Sequence, residues 1–130
     1  MLVGLSERTN EEGARQLGEV LLPHGYRTEP VEVEAGLHLK SSVNVVADAA
    51  LVVVAGLRTF EPIQRYTLLV LDEGEEPAAN VLRVNDRLLV PAGYPLATTM
   101  FRSLGVTIVE VDVSEMQKMD GGLTCLSLRL

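Results

Sequence analysis

The sequence predicts an α/β fold with a weak internal repeat of strand, strand, helix, strand. Three features carry the prediction. Short apolar runs bounded by Gly, Pro, Asn or Asp read as strands. Ala14, Leu17, Val20 and Leu21 recur at helical spacing behind a helix-start signal. Strand-glycine-helix junctions recur at Gly4, Gly56 and Gly93.

Taken in order, Leu2–Leu5 is a short strand. Thr9 and Glu12 have the spacing of a capping box, and Glu11 and Glu12 suit the positive first turn of a helix. Pro23-His24-Gly25 ends that helix. Tyr26–Val33 reads as a strand with partial alternation. Leu39–Ala47 and Ala50–Ala55 are apolar strands joined by a tight turn near Asp48. Thr59–Arg65 is a short helix and Thr67–Leu71 a buried strand. Asp72–Pro77, with Glu73, Glu75 and Glu76, reads as a solvated acidic loop. Asn80–Val84 and Arg87–Pro91 form a hairpin across Asn85-Asp86. Pro95 suits the first turn of a helix running to Leu104, with Gly105 as its cap. Val106–Val111 is a strand, Asp112–Met119 a polar connection, and Thr124–Leu130 a last strand.

At 130 residues the chain suits one small domain, spanning residues 1–130. It is 47% apolar and only 4% aromatic, so branched aliphatics must supply most of the packing. A net charge of −7, with no basic stripe, excludes nucleic acid or an anionic membrane as an expected partner. No apolar run approaches the ~20 residues that a membrane-spanning helix needs. The first residues lack the layout of a secretory signal. One cysteine excludes an intrachain disulfide framework and fits a reducing cytoplasmic setting. No His, Cys or Asp spacing suggests a metal, and Gly121-Gly122 is too short for a phosphate loop. No cofactor is expected.

That single cysteine, Cys125, sits where Asp120-Gly121-Gly122-Leu123-Thr124 hands over to an apolar tail, and His38 lies far upstream. A lone Cys and a distant His are the materials of a nucleophile and its acid/base partner, which meet only in a fold. Composition alone favours the plainer reading, a buried core thiol. Neighbouring Thr124, and a carboxylate five residues before the thiol, argue against plain core.

Three words of sequence occur in order: Gly4-Leu5-Ser6-Glu7-Arg8-Thr9-Asn10, Gly36-Leu37-His38-Leu39-Lys40-Ser41, and Met119-Asp120-Gly121-Gly122-Leu123-Thr124-Cys125. Together they resemble the dimethylarginine dimethylaminohydrolases, members of a guanidino-modifying superfamily that includes arginine deiminases and amidinotransferases. The resemblance covers nearly the whole chain, and only the C-terminal half of such an enzyme. It implies a partial α/β propeller, about two and a half ββαβ modules of a five-module pentein fold. It also implies hydrolysis of N-methylated arginine to citrulline and methylamine or dimethylamine.

By the same resemblance Cys125 is the nucleophile and His38 the general acid and base. Arg8 holds the substrate α-carboxylate, for which a guanidinium fork is suited; read without the resemblance, it is a surface arginine paired with Glu11 or Glu12. Asp120 orients the site, or serves only as the turn residue before Gly121. Backbone at Met119 approaches the substrate amine, and Ser41 is a second donor. Lys40 is expected to point to solvent, since side chains alternate along a strand. The carboxylates that grip a guanidinium in the family belong to the other half, so activity of this chain alone is not expected. Leu2–Leu5 and the last strand would leave open sheet edges, which predicts a truncated or half-length start at Met1. It also predicts association, as a homodimer or with a partner N-terminal half. An arginine deiminase or amidinotransferase-type enzyme, and a non-catalytic α/β binding module, are the other readings.

Overall fold

A computed structural model describes residues 1–33 and 38–128. Gly36 and Leu37 of the histidine motif, and the last two residues of the expected C-terminal strand, lie outside the described residues. The chain divides into two compact units, Met1–Leu39 and Lys40–Leu130.

In the first unit, β1 (Leu2–Leu5) and β2 (Glu29–Glu32) pair in parallel and are joined through α1 (Glu11–Leu21). Val3, Leu5 and Ala14 form its small buried cluster. The helix start differs by one residue from the sequence expectation. Asn10, not Thr9, is the cap, its Oδ1 accepting from the Gly13 N–H at 2.8 Å. Glu12 does not reach back to complete a capping box. Its carboxylate is taken by Arg15 at 2.6 and 2.8 Å and by Gln16 at 2.8 Å, the i+3 and i+4 neighbours on the helix face. Those bonds hold the Glu12 pKa down to about 2, the Arg15 bond contributing most. Downstream, Gly25 adopts φ +82 and closes a 3-10 turn, Leu22–His24, in the left-handed conformation that favours glycine.

The second unit holds two three-stranded sheets of the same design. β3 (Val43–Ala47) and β4 (Ala50–Val53) form an antiparallel hairpin, and β5 (Thr67–Val70) joins β4 in parallel. β6 (Leu82–Val84) and β7 (Arg87–Pro91) form a second hairpin, and β8 (Thr107–Val111) joins β7 in parallel across α2 (Pro95–Arg102). The repeat of strand, strand, crossover, strand is therefore real. In the first copy the crossover contains two 3-10 turns, Ala55–Leu57 and Glu61–Ile63, where one short α-helix was expected. One core serves both sheets, with Val46, Val52, Leu88, Val90 and Phe101 fully buried. Aliphatic packing with a single central phenylalanine is what the composition required.

Several strands are shorter than their apolar runs. Leu39–Ser41 is a 3-10 turn rather than the start of β3, and Tyr26–Thr28 stays outside β2. Asn80 and Val81 stand before β6. The polar connection contains a short helix, α3 (Ser114–Gln117). Residues 123–126 are turn, where a last strand was expected, and 127 and 128 are outside any strand. Leu123 is buried while Leu126 and Leu128 are exposed, so the leucine spacing that looks like strand alternation is anchored by one residue only.

Glu75 departs furthest from its reading as part of a solvated loop. It is 8% exposed, and its carboxylate accepts from the backbone N–H of Ala97 at 2.7 Å and of Leu96 at 3.4 Å. It thus caps α2 from a distant part of the chain, where the free amides and the helix dipole favour an anion. Glu75→Ala is expected to lower unfolding stability by about 1–2 kcal/mol in a denaturant titration, the usual cost of losing a cap. An unchanged midpoint would show that solvent replaces the cap.

Candidate active site

The residues singled out from the sequence fall on both units. Arg8 and His38 belong to Met1–Leu39; Ser41, Met119, Asp120 and Cys125 belong to Lys40–Leu130.

In the first unit Arg8 sits in a tight turn. Ser6 and Thr9 bridge across it, with mutual backbone bonds of 3.0 and 3.2 Å, and the Arg8 N–H donates to Ser6 Oγ at 3.1 Å. Arg8 is exposed, two residues ahead of the helix cap. Among the described residues it makes no ion pair, and Glu12 is engaged by Arg15. The pairing with Glu11 or Glu12 expected from sequence is not formed. At Gly4 an added Cβ would lie 2.7 Å from Leu39 Cβ and 2.9 Å from Val33 Cγ2, so glycine is needed where β1 passes the residue following His38. His38 itself is exposed.

The Cys125 loop is built from α3 onward. Asp120 takes φ +56, and this left-handed step lets the Gly121 N–H reach back to Met116 O at 2.9 Å. Asp120 donates its own N–H to Gln117 O at 3.1 Å. The described contacts of Asp120 are thus those of a turn residue, and its side chain is exposed. Met119 is 85% exposed, an unusual state for a large apolar side chain. Next comes a turn in which Cys125 N–H donates to Gly122 O at 3.1 Å, and Ser127 Oγ donates to Leu123 O at 2.5 Å. Cys125 ends up exposed, at the surface rather than in the core.

Asn80 is the anchor of this loop, and the sequence reading placed it only as a strand residue. It is 7% exposed. Its Oδ1 accepts from the Thr124 N–H at 3.0 Å and from Thr124 Oγ1 at 2.8 Å; its Nδ2 stands 3.8 Å from Cys125 Sγ. Gly122 packs directly on the same side chain: a Cβ there would lie 2.2 Å from Asn80 Nδ2. Asn44 secures the strand end behind it, donating to Ala79 O at 2.8 Å and Lys40 O at 2.6 Å. Lys40 is exposed, as expected, but sits in a 3-10 turn rather than a strand, and its Nζ donates to Thr124 O at 3.4 Å. Ser41 is partly buried in the same turn. A lone asparagine inside Ala78-Ala79-Asn80-Val81-Leu82 was the available signal, since a buried amide needs partners.

Beside the loop lies an open hollow of about 530 Å³, lined in part by Asn44, Val81, Arg83, Thr124 and Ser127. Cys125 does not line it. Among the described residues no group of three or more His, Cys, Asp or Glu side chains could hold a metal ion. None of the described helices is long and apolar enough to cross a membrane. Chemically, the second unit presents an exposed thiol on a turn held by a buried amide, which suits an attacking sulfur.

No family model matches the chain. A dimethylarginine dimethylaminohydrolase of Pseudomonas aeruginosa is 39% identical over 127 residues, covering 98% of this chain and 50% of the relative. The structure of a dimethylarginine dimethylaminohydrolase from the same organism, a cysteine-to-serine variant with citrulline, superposes with a TM-score of 0.95 at 37% identity, covering 99% of this chain and 51% of the other. A histidine-to-glycine variant of a dimethylarginine dimethylaminohydrolase, an adduct with S-methyl-L-thiocitrulline, gives 0.94 at 37% identity, with the same coverage of 99% and 51%. The chain spans about half the length of the relatives it matches.

Proposed function

The chain belongs to the dimethylarginine dimethylaminohydrolase family, of whose members it spans about half the length, and from that premise we propose that it carries the nucleophile and the acid/base of a methylarginine hydrolase. Cys125 attacks, as thiolate, the guanidinium carbon of an N-methylated arginine. The tetrahedral adduct collapses as His38 protonates the departing methylamine or dimethylamine, leaving an S-alkylthiouronium on Cys125. His38 then takes a proton from water, which attacks the same carbon. The C–S bond breaks, citrulline leaves, and the thiolate returns. Arg8 holds the substrate α-carboxylate as a fork. The Met119 backbone meets the α-amine, Asp120 orients this rim of the site, and Ser41 donates from behind.

One observation carries the reading: Cys125 is exposed on a turn that a buried side chain holds in place, not packed as a core thiol. The comparison adds support. One similar structure carries a replaced cysteine with citrulline bound, and another a replaced histidine in an adduct with S-methyl-L-thiocitrulline. We read the two strand–strand–crossover–strand units and the β1–α1–β2 unit as parts of a five-module propeller. In this reading the guanidinium-binding acids belong to the half of the family's length that this chain does not span. A second copy of this chain would not supply those acids.

The test joins this chain to the portion of the Pseudomonas aeruginosa relative that it does not span, and measures citrulline release. Methylated arginine is expected to turn over, and plain arginine far more slowly. Turnover of arginine in preference to methylarginine would move the chain to the deiminase branch. A folded hybrid inert toward both would overturn the hydrolase reading.

A further inference from the structure

We propose that Asn80 is the positioning residue for the Cys125 sulfur, clamping the nucleophile turn through Oδ1 and offering an N–H to the sulfur through Nδ2. The inference rests on the reading of Cys125 as nucleophile. Its basis is geometric. The Thr124 backbone N–H can only donate, so the oxygen of the Asn80 amide must face it, at 3.0 Å. Thr124 Oγ1, at 2.8 Å, converges on the same oxygen. With the oxygen fixed, the amide nitrogen is turned toward Cys125 Sγ, at 3.8 Å. An N–H aimed at sulfur is a weak bond to a thiol and a stronger, charge-assisted one to a thiolate. It therefore favours the reactive form.

Asn80 is itself held so that it cannot follow the loop. It occupies a tight turn at φ −82 and ψ 63, with the Val81 N–H bonded to Ala79 O at 2.9 Å, and its own N–H donates to Pro77 O at 3.2 Å. Asn44 fixes Ala79 O from the adjoining sheet. Gly122 leaves the space that the carboxamide fills. Side chain and loop are complementary: a buried, rotationally fixed amide on one side, and a glycine, two Thr124 donors and the sulfur on the other. A purely structural clamp would need only the oxygen.

Asn80→Asp separates the two roles. The carboxylate keeps an acceptor for Thr124 and replaces the N–H beside sulfur with an anionic oxygen. Alkylation of the chain's single cysteine by iodoacetamide, followed against pH, reads the thiolate directly. The rate–pH curve of Asn80→Asp is expected to move up by about one pH unit, with roughly tenfold slower alkylation near neutrality and a retained cooperative melt. Asn80→Ala, which adds no charge, should shift the curve in the same direction. It covers the case in which the aspartate variant does not fold. A folded variant whose curve coincides with the parent's would overturn the proposal. The assay needs no methylarginine, so the two readings fail separately. A shifted curve in a chain whose completed form releases no citrulline keeps the Asn80 role. An unshifted curve in a working hydrolase removes it.

Discussion

Cys125→Ser in the hybrid with the Pseudomonas aeruginosa portion is expected to abolish citrulline release, by on the order of a thousandfold or more, while leaving the melting transition in place. The reason is chemical. A serine hydroxyl at the same exposed turn is far less ionised than a thiol at neutral pH and is a poor nucleophile toward a resonance-stabilised guanidinium. The side chain lies outside the core, so the substitution removes no packing. His38→Ala should also stop turnover, since the amine must leave protonated, yet it should still permit alkylation of Cys125. Residual turnover in Cys125→Ser comparable to that of the parent would show that the chemistry lies elsewhere.

Gly122→Ala is the second large effect expected. The added methyl would stand 2.2 Å from Asn80 Nδ2 and 2.7 Å from its Cγ, closer than real contacts allow. Asn80 is buried and cannot swing away, so either the amide or the loop must move. Forced overpacking of this kind costs roughly 1–3 kcal/mol. Movement by ångströms would also break the two Thr124 bonds to Asn80. Denaturant unfolding is expected to show the destabilisation, and Cys125 alkylation to show the altered loop. A double-mutant cycle identifies the cause. If the clash with the carboxamide is responsible, Gly122→Ala in an Asn80→Ala background should cost little more than Asn80→Ala alone. Additive losses would place the strain somewhere else.

The repeating strands were legible because Ala50–Val53 and Arg87–Pro91 are apolar runs bracketed by turn residues, and because the hairpin needs a residue such as Asn85, at φ +55, that tolerates the left-handed region. What misled the reading were local patterns with more than one solution. Thr9 and Glu12 match a capping box, but Arg15 and Gln16 compete for the same carboxylate and leave the cap to Asn10. The spacing of Leu126 and Leu128 imitates a strand, although both side chains are exposed. Long-range partners were illegible in principle. Glu75 looks like one acid among several until α2 arrives 22 residues later with unpaired amides. Asn80 and Thr124 meet across 44 residues, and nothing local announces the pair. Candidate site residues were named by a resemblance rather than by periodicity. The structure added the asparagine that supports the thiol.

The most direct test of the account is the mass of Cys125 during turnover. The hybrid with the Pseudomonas aeruginosa portion is mixed with methylarginine, quenched in acid within the first turnovers, and digested. A covalent adduct is expected on the peptide that carries Cys125, retaining the guanidine carbon and lacking the methylated amine. The adduct should accumulate in a variant slowed in water attack and disappear in Cys125→Ser. Sustained citrulline release with the Cys125 peptide unmodified at every quench time, or with Cys125→Ser as active as the parent, would contradict it.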